Sequence, residues 1–279
     1  MAKDLLEDGR GVNRCVRARE GYVVYNRHDI YIGRSIERYG EFSEIEARLL
    51  RALVPPGGVV IEVGANIGTH TLVLAHAAGP AGWVVAYEPQ RAVFQILCAN
   101  LALNSLARVD ARQRAVGAGP GSITVPDIDY GQPGNFGGVA LGGTAQGSRV
   151  RQVALDADVD LPRLDLVKVD VEGMELDVLR GADGLLRRLR PMLYVENDRV
   201  DLSRELILPL RGLDYRLYWH LPPLFNPDNF FHESEDLFPD AVSVNMLAIP
   251  RERSQHVEGL AEVADPLEHP FKHDAPRRG

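Results

Sequence analysis

A parallel α/β fold is indicated by the stretch Val59-Val60-Ile61-Glu62-Val63-Gly64-Ala65-Asn66-Ile67-Gly68-Thr69-His70-Thr71-Leu72-Val73-Leu74-Ala75. A β-branched apolar run stops at Gly64, Gly68 follows four residues later, and an apolar helical pattern begins at once. This order predicts a strand, a tight turn and a helix. Apolar residues on both faces are typical of a buried parallel strand, and the helix N-terminus offers free N–H groups to a ligand in the crevice.

The glycine spacing of this turn separates two classes of nucleotide ligand. A dinucleotide fingerprint has the pattern Gly-x-Gly-x-x-Gly, whereas this chain has Asn66 and Thr69 at the second and third glycine positions. The pattern is instead similar to the acidic-x-Gly-x-Asn-x-Gly turn of methyltransferases that use S-adenosylmethionine, with Glu62 at the acidic position. An ordinary βα turn without a ligand is the alternative.

Length, charge and cysteine content limit the fold and the partners. The chain has 279 residues and a formal net charge of -8, which suits one large α/β domain and argues against nucleic acid as the main partner. Cys15 and Cys98 match no metal or redox spacing, and we expect Cys98 to be a buried free thiol. The charged N-terminus and the lack of a long apolar run predict a cytoplasmic protein with no membrane partner.

Three segments are predicted along the chain. Residues 1–55 form an N-terminal β/helical cap, in which Ser43 and Glu46 have the spacing of a capping box at the start of a helix. Residues 56–250 form the main domain. Residues 251–279 are charged and contain proline, which predicts a flexible tail.

The second strand of the main domain is predicted over 83–89 and ends on Glu88 and Pro89. In doubly wound sheets, ligands lie outside the carboxyl ends of the strands, and an acidic residue about twenty positions after the glycine turn binds ribose. The two oxygens of a carboxylate match two adjacent hydroxyl donors. We therefore predict that Glu88 binds the ribose of the ligand; a solvated carboxylate at a strand end is the alternative.

A third strand is predicted over 109–116, with Ala115 near its end on the adenine side of the ligand. The segment 117–147 is rich in glycine and has few helix-forming residues, and it contains Asn135 and Phe136. Such a segment is either a mobile loop or a loose hairpin, and long loops of this kind are often functional.

The fourth strand, predicted over 164–173, contains Lys168, Asp170 and Glu172. Strand alternation puts these three side chains on one face, and charges within a buried strand must be paired. A buried ion-pair network that holds the turn and a direct catalytic role are both open at this point.

The strands that follow carry further polar residues at their ends. A fifth strand, 191–198, ends in carboxylates, and a sixth strand, 215–220, ends at a histidine. A loop over 221–241, rich in aromatic residues and proline, joins the sixth strand to a last strand at 242–250. Two consecutive strands without a helix between them predict an antiparallel edge.

Together these motifs resemble the FkbM family of S-adenosylmethionine-dependent methyltransferases. The resemblance rests on Tyr39-Gly40-Glu41, Glu62-Val63-Gly64-Ala65-Asn66-Ile67-Gly68, Glu88-Pro89, Asn135-Phe136-Gly137-Gly138, Lys168-Val169-Asp170-Val171-Glu172-Gly173-Met174-Glu175 and Tyr194-Val195-Glu196-Asn197. It implies a Rossmann-like class I methyltransferase fold in residues 56–250, with a seven-stranded, mostly parallel sheet, a C-terminal antiparallel strand and helices on both faces. The family usually has aspartate at the position of Glu62.

The resemblance also implies that S-adenosylmethionine lies over the first two strand ends and donates a methyl group to a hydroxyl of a sugar or another small-molecule acceptor. We predict a donor pocket that contains Tyr39, Glu41, Glu62, Gly64, Ala65, Asn66, Gly68, Thr69, His70, Glu88, Pro89, Ala115 and Asp170.

Methyl transfer to a hydroxyl is an in-line displacement, which a well-placed base accelerates. Asp170 is the first candidate for this base, because its strand lies next to the glycine turn; Glu172, Glu196 and His220 follow. The acceptor side is predicted to contain Asn135, Phe136, Asn226, Asn229 and Asn245. As an alternative, Mg²⁺ held by Asp170, Glu172, Glu196 and Asp198 would activate the acceptor hydroxyl, although no spacing requires it.

Two rival functions belong to other classes. A nicotinamide-dependent oxidoreductase has the same fold class, but the missing glycines speak against it. A non-catalytic scaffold would bind the donor and methylate nothing. The predicted partner is a small hydroxylated molecule such as a sugar or glycoside, without nucleic acid or membrane, and a homodimer is a candidate assembly.

Overall fold

In the computed structural model, which describes residues 11–143, 145–254 and 257–271, the predicted strand at Val59–Val63 belongs to an eight-stranded mixed sheet. The strands are β1 (Asn13–Ala18), β2 (Gly21–Asn26), β3 (Val59–Val63), β4 (Trp83–Tyr87), β5 (Val109–Arg112), β6 (Ala115–Val116), β7 (Gly121–Val125), β8 (Ser148–Val153), β9 (Leu166–Val169), β10 (Met192–Glu196), β11 (Tyr215–His220), β12 (Asn245–Pro250) and β13 (Ala261–Glu262). The helices are α1 (Ile32–Tyr39), α2 (Glu44–Leu53), α3 (Thr69–Ala78), α4 (Arg91–Leu103), α5 (Leu155–Asp158), α6 (Glu175–Arg180), α7 (Asp183–Leu189) and α8 (Val200–Gly212).

The order of strands in the main sheet is β13-β11-β12-β10-β9-β3-β4-β5. The five neighbouring strands β10, β9, β3, β4 and β5 pair in parallel. β12 lies between β10 and β11 and pairs antiparallel with both. Apart from the short β13, this is the predicted seven-stranded sheet, so the Rossmann-like class I methyltransferase fold is confirmed. The predicted antiparallel edge is formed by β11 and β12, with β12 inserted between β10 and β11.

The two faces of the sheet are covered by separate hydrophobic clusters. On β3, Ile61 and Val63 belong to the cluster that includes α6, α7 and α8, whereas Val60 belongs to the cluster that includes α2 and α3. Each fully buried aliphatic side chain stabilises the fold by about 1.5–3 kcal/mol. Because side chains alternate along a strand, Glu62 and Lys168 point to the α2 and α3 side. The polar groups of the site therefore lie on one face of an otherwise apolar sheet.

The third predicted strand is shorter than expected. It ends at Arg112, and the Arg114 N–H donates to the Arg112 carbonyl at 2.9 Å, which turns the chain. Asp158 binds both arginine side chains and holds this corner. Ala115 consequently lies in β6, which pairs with β8 in a second, smaller sheet, and not at the end of the third strand.

Part of the glycine-rich segment 117–147 is regular. β7 and β8 pair antiparallel, which agrees with the hairpin rather than the mobile loop. Between them, Gly134 is bonded on both sides: its N–H donates to the His28 carbonyl at 3.0 Å, and its carbonyl accepts from Ile30 at 3.1 Å. These bonds hold the segment against the N-terminal cap.

Two local predictions on the helices are wrong. Ser43 precedes α2 in a left-handed conformation, with φ 46°, and its Oγ donates to the Glu46 carboxylate at 3.0 Å. No capping box forms, because the Ser43 side chain makes no cap bond to the helix backbone. Cys98 is exposed on α4 and Cys15 is the buried cysteine, since the stripe that α4 buries contains Val93 and Leu97.

The predicted loose tail packs on the main domain over residues 257–271. β13 pairs with β11, and His269 is buried, with its Nε2 2.8 Å from the Asn197 carbonyl oxygen. The remainder of the tail, 255–256 and 272–279, and the first ten residues of the cap lie outside the described residues. Within the described ranges, no helix combines the length and apolar composition that a membrane crossing requires.

Asn100 connects the N-terminal cap to the main domain from a fully buried position on α4. Its Oδ1 accepts from the Val24 N–H at 2.6 Å, and its Nδ2 donates to the carbonyls of Val24 and Ile67. We predict that Asn100→Ala lowers the free energy of unfolding by about 2–4 kcal/mol, because it leaves buried backbone groups unpaired. Chemical denaturation measures this loss.

The matched control is Asn104→Ala on the same helix. Asn104 bonds the N–H and carbonyl of Tyr22 in the same way, but these two hydrogen bonds are exposed, so water can replace them. We expect a loss below about 1 kcal/mol. Equal losses for the two variants would contradict the role given to the buried bonds.

Candidate active site

A cavity of about 410 Å³ lies at the carboxyl ends of β3, β4, β9 and β10. This volume is within the range of about 300–1,000 Å³ that small-molecule sites occupy. Its polar lining consists of Glu46, Glu62, Asn66, Thr69, His70, Glu88, Gln90, Asn135, Lys168, Asp170, Glu172, Glu196, Asp198 and Ser243. Carboxyl groups therefore dominate the polar surface of the cavity.

Gly64 lets β3 and β9 meet at the cavity. It has φ 85°, and a Cβ at this position would lie 1.7 Å from the Asp170 carbonyl oxygen. The Asp170 N–H donates to the Val63 carbonyl at 3.0 Å. Only glycine has both the conformation and the size for this approach, so the glycine of the motif places Asp170 beside the turn.

Glu88 closes the turn from the β4 side. Its Oε2 accepts from the Asn66 N–H at 3.0 Å and its Oε1 from the Gln90 N–H at 2.7 Å. Asn66 itself has φ 51°, a left-handed conformation that asparagine tolerates. Burial raises the pKa of Glu88 to about 7. Each oxygen still has a lone pair for another donor, so a diol can bind without displacing the backbone.

Lys168 is the buried cation of the site, with 2% of its surface exposed. It lies beside Glu62 in the register of β3 and β9, and its Nζ donates to Asp170 at 3.0 Å. Burial alone would lower the pKa of Lys168, but Asp170, Glu62 and Glu46 raise it above the ordinary value. Burial alone would raise the pKa of Asp170, but the positive charge and the hydrogen bond of Lys168 hold the pKa of Asp170 below the ordinary range. Lys168 and Asp170 are therefore both charged at neutral pH.

Glu62 is fully buried, and only one of its carboxylate oxygens has a hydrogen-bond partner. Thr71 Oγ1 donates to its Oε2 at 2.6 Å, whereas its Oε1 has no partner among the residues that the structure describes. Burial raises the pKa of Glu62 to about 7, although Lys168 acts in the opposite direction. A buried polar atom without a partner, in the wall of a cavity, is a position that a ligand can satisfy.

The remaining residues of the Lys-x-Asp-x-Glu-Gly-x-Glu string form and support the turn after β9. Glu172 has φ 57°, a strained conformation for a long side chain, and Gly173 has φ 97°. Glu175 holds the turn on either side of Glu172, because its Oε1 accepts from the Val171 and Gly173 N–H groups at 3.2 and 3.0 Å. The Arg199 guanidinium also donates to the Glu172 carbonyl at 2.8 Å. The string thus holds Glu172 at the rim of the cavity.

Glu196 and Asp170 form a carboxyl pair across β10 and β9. Burial, followed by the charges of Asp170 and Glu172, raises the pKa of Glu196 well above its ordinary value. The neutral Glu196 carboxyl can then donate a hydrogen bond to the ionised Asp170. Burial also raises the pKa of Glu172 to about 7. One carboxylate of this group is ionised at neutral pH, and a neighbour carries a proton.

His70 lies in the first turn of α3 with its side chain 6% exposed, and within the described ranges its Nε2 has no hydrogen-bond partner. Its Nδ1 is 3.7 Å from Glu46 Oε1 on α2. Burial and the positive charge of Lys168 lower the pKa of His70 to about 3, so the imidazole is neutral. Burial raises the pKa of Glu46 to about 7.

The cavity brings together most of the predicted donor residues. Those in its lining are Glu62, Gly64, Ala65, Asn66, Thr69, His70, Glu88, Pro89 and Asp170. Of the predicted catalytic and acceptor residues, Asp170, Glu172, Glu196 and Asn135 line it. The other predicted residues lie elsewhere, namely Tyr39, Glu41, Gly68, Ala115, Phe136, His220, Asn226, Asn229 and Asn245.

Four of these nine residues belong to the contact between the cap and the loop before β12. The Tyr39 hydroxyl and the Glu41 carboxylate bind residues of that loop. Asn226 donates to Glu41, and Asn229 donates to the Asn226 and Glu233 carbonyls. Their polar groups bind protein partners, and none of these four residues lines the cavity.

The remaining five are displaced for separate reasons. His220 lies beyond the cavity with its Nδ1 2.7 Å from the Tyr194 hydroxyl, and Asn245 is buried beside it in β12. The Phe136 ring packs on Tyr130 with centroids 5.0 Å apart. Gly68 supports the helix start, where a Cβ would lie 2.6 Å from Leu97. Ala115 is in the smaller sheet.

Glu46 and Gln90 are among the lining residues that the sequence motifs did not predict. Glu46 was assigned to a helix cap, but it is 4% exposed on the inner side of α2. Gln90 follows the Glu88-Pro89 motif directly, and its Nε2 donates to the Phe136 carbonyl at 2.9 Å. Proximity to that motif was the only signal for Gln90, whereas the buried face of α2 was the signal for Glu46.

The alternative mechanism with Mg²⁺ requires several side chains that bind the ion together. Within the residues that the structure describes, no three His, Cys, Asp or Glu side chains are placed to hold a metal ion together. Asp170 is bonded to Lys168, and Glu172 Oε2 is 3.4 Å from Arg199 Nη2. These carboxylates face protein cations already.

The raised pKa of Glu62 predicts how stability depends on pH. A carboxyl whose pKa is higher in the folded than in the unfolded state stabilises the fold at low pH and loses this contribution as pH rises. For Glu62 the loss occurs between about pH 4.5 and 7. We predict that thermal stability of the ligand-free protein falls over this window, and that Glu62→Gln flattens the fall, since glutamine cannot ionise.

The matched control is Glu205→Gln on the exposed side of α8. It should leave the pH dependence of the melting temperature as in the parent protein. A slope that Glu62→Gln and Glu205→Gln change equally would contradict the assignment of this titration to the cavity.

Comparison with known proteins places the chain in a family. The model of the methyltransferase FkbM domain matches residues 62–217, which is more than half of the chain. The 31-O-demethyl-FK506 methyltransferase FkbM of Streptomyces tacrolimicus is 28% identical over 241 residues, which cover 75% of this chain and 87% of that protein.

Two shorter matches have similar identity. Methyltransferase 1 of Beauveria bassiana is 31% identical over 151 residues, 46% of this chain and 60% of that protein. The hexuronic acid methyltransferase AglP of Haloferax volcanii is 31% identical over 169 residues, 55% of this chain and 62% of that protein. The matched part thus spans about 60% of the length of these two relatives. With its sheet order, its motifs and the family match together, this chain belongs to the FkbM methyltransferase family.

Proposed function

We propose that this protein transfers a methyl group from S-adenosylmethionine to a hydroxyl of a small-molecule acceptor. The observation that carries the proposal is the cavity at the carboxyl ends of β3 and β4, where Glu88 and the turn at Gly64 meet a lining dominated by carboxyl groups. This is the position at which doubly wound folds bind nucleosides.

The chemistry of the lining fits the donor. The two oxygens of Glu88 would accept the ribose hydroxyls, as a paired acceptor does for a diol. The unpaired Oε1 of Glu62 and the carboxylate of Asp170 would favour the positive sulfonium over a neutral group. When bound, S-adenosylmethionine supplies a methyl group on a good leaving group.

The residues around Asp170 would orient the acceptor and receive its proton. Asp170 is ionised because Lys168 holds its pKa low, and its side chain is 39% exposed to the cavity. It can accept a hydrogen bond from a hydroxyl while the attack takes place. A base with a low pKa takes the proton late, so alignment and the exclusion of water would supply much of the rate. Glu172 and Glu196 are the alternative bases.

The charge of the cavity lining bears on which class of acceptor is methylated. The names of two relatives refer to methylation of 31-O-demethyl-FK506 and of a hexuronic acid, and both support a hydroxylated small molecule. The half of the cavity over β9 and β10 contains Asp170, Glu172, Glu196 and Asp198. Its single lysine is already paired. We therefore favour an acceptor without negative charge, such as a neutral sugar or glycoside.

Donor binding is the first test of this function. We predict that Glu88→Gln weakens binding of S-adenosylmethionine by at least about tenfold, because one amide group cannot accept two hydroxyls and two backbone N–H groups. Binding to the parent protein should strengthen by about tenfold between pH 6 and 8, as Glu88 ionises. Isothermal titration calorimetry measures both effects, with Glu205→Gln as the control for an exposed carboxylate.

Catalysis is the second test. We predict that Asp170→Asn lowers kcat by about 10²–10⁴ without a comparable loss of donor affinity. Mass spectrometry of hydroxylated metabolites incubated with isotopically labelled donor identifies the acceptor and gives the rate. Unchanged turnover in Asp170→Asn, together with a loss in Glu172→Gln or Glu196→Gln, would move the base to one of those residues.

A further inference from the structure

We propose that Tyr39, Gly40 and Glu41 position the acceptor side of the cavity, although none of them lines it. These three residues, which we call the clasp, hold the segment 221–244, which we call the wall loop. The clasp would thereby determine which acceptors fit, while donor binding would not depend on it. This inference rests on the proposed methyl transfer.

The wall loop supplies one side of the cavity from its two ends. Leu224 and residues 241–244 are in the lining. The two ends are joined in a short antiparallel ladder, in which the Leu224 N–H donates to the Ala241 carbonyl at 2.9 Å and the Ser243 N–H donates to the Pro222 carbonyl at 3.1 Å. The position of this wall therefore depends on what holds the rest of the loop.

Glu41 holds the first half of the wall loop. Its carboxylate is 6% exposed. Oε1 accepts from Asn226 Nδ2 at 2.8 Å, and Oε2 accepts from the Phe230 N–H at 2.8 Å and from Arg19 Nε at 2.7 Å. A buried carboxylate is costly unless it is paired, so the folded position of Glu41 and that of the loop depend on each other.

Tyr39 holds the second half of the wall loop. Its hydroxyl donates to the Glu235 carbonyl at 3.0 Å and accepts from the Leu237 N–H at 2.7 Å. Its ring packs against Phe225 and Phe238, with centroids 5.3 and 6.0 Å apart. One tyrosine thus fixes the backbone of the loop and anchors its aromatic side chains.

Gly40 lets the loop lie directly on the clasp. It has φ 68°, and a Cβ here would lie 2.7 Å from the Phe231 ring and 2.9 Å from the Phe230 ring. The Phe231 N–H also donates to the Tyr39 carbonyl at 3.0 Å. A side chain at residue 40 would push the loop away, so all three members of the clasp serve one contact.

The donor side is held by different contacts. The N–H groups of Gly64 and Ala65 donate to the Tyr87 carbonyl, and the Asn66 N–H donates to Glu88. These bonds join β3 to β4 and include no residue of the clasp or the wall loop. Loosening the clasp should therefore change the acceptor side and leave the donor side in place.

The test compares Glu41→Gln and Tyr39→Phe with the control Arg38→Gln. Arg38 binds Glu233 and Glu235 of the same loop, but through ion pairs near the surface that contribute little. Hydrogen exchange measures how fast the backbone amides of residues 241–244 exchange. Calorimetry measures the Kd for S-adenosylhomocysteine and thereby tests the donor side. Steady-state kinetics give kcat and the KM for the acceptor. The donor is S-adenosylmethionine, and the acceptor is the most rapidly methylated compound of the metabolite panel.

For both clasp variants we expect exchange at 241–244 to accelerate by about tenfold or more. The KM for the acceptor should rise by about fivefold or more, with kcat and the Kd for S-adenosylhomocysteine within about threefold of the parent values. Arg38→Gln should resemble the parent protein. Tyr39→Phe removes a single hydroxyl, so it carries the test if Glu41→Gln does not fold.

Two outcomes would overturn the proposal. One is a loss of S-adenosylhomocysteine affinity as large as the rise in acceptor KM, which would restore a donor-binding role to the clasp. The other is unchanged exchange and unchanged KM in the clasp variants. If the parent protein binds no S-adenosylhomocysteine, the proposed function fails, whereas the exchange result still decides whether the clasp holds the wall loop.

Discussion

The buried ammonium of Lys168 is the constraint on which the site depends. A lysine in the middle of a parallel sheet costs several kcal/mol unless carboxylates surround it. Here β3 supplies Glu62 beside it, and Asp170 follows directly after the end of β9. The requirement explains why Glu62 stands beside Lys168 in β3 and why Asp170 follows β9 and stays ionised, whereas burial raises the pKa values of Glu62 and Glu196. The ion pair is both a structural element and the source of the site's electrostatics.

The local part of this arrangement can be predicted from the sequence. The turn at Gly64 and the carboxylates Glu88 and Asp170 follow strands that the apolar pattern reveals, and parallel strands bring their carboxyl ends together. The contacts of Tyr39 and Glu41 could not be predicted in this way, because their partners are nearly two hundred residues further along the chain. A motif can identify such residues as important without telling what they touch.

Two other predictions were wrong because the same local sequence pattern is compatible with more than one structure. Ser43 and Glu46 have the spacing of a capping box, but burial of Glu46 at the cavity outweighs the local bond to the backbone. Residues 109–116 are predicted as one strand, yet Asp158 holds Arg112 and Arg114 at a corner, and the last two residues join another sheet. Tertiary contacts decide in both cases, and sequence periodicity does not report them.

The cavity combines a donor side built by β3 and β4 with an acceptor side built by β9, β10 and the wall loop. The central claim is that Glu88 receives the ribose of the methyl donor. A crystal structure with S-adenosylhomocysteine tests it most directly. We predict that both ribose hydroxyls lie within hydrogen-bond distance of the Glu88 carboxylate, with the sulfur on the side of Asp170. A nucleoside bound elsewhere, or a ribose turned away from Glu88, would contradict the account.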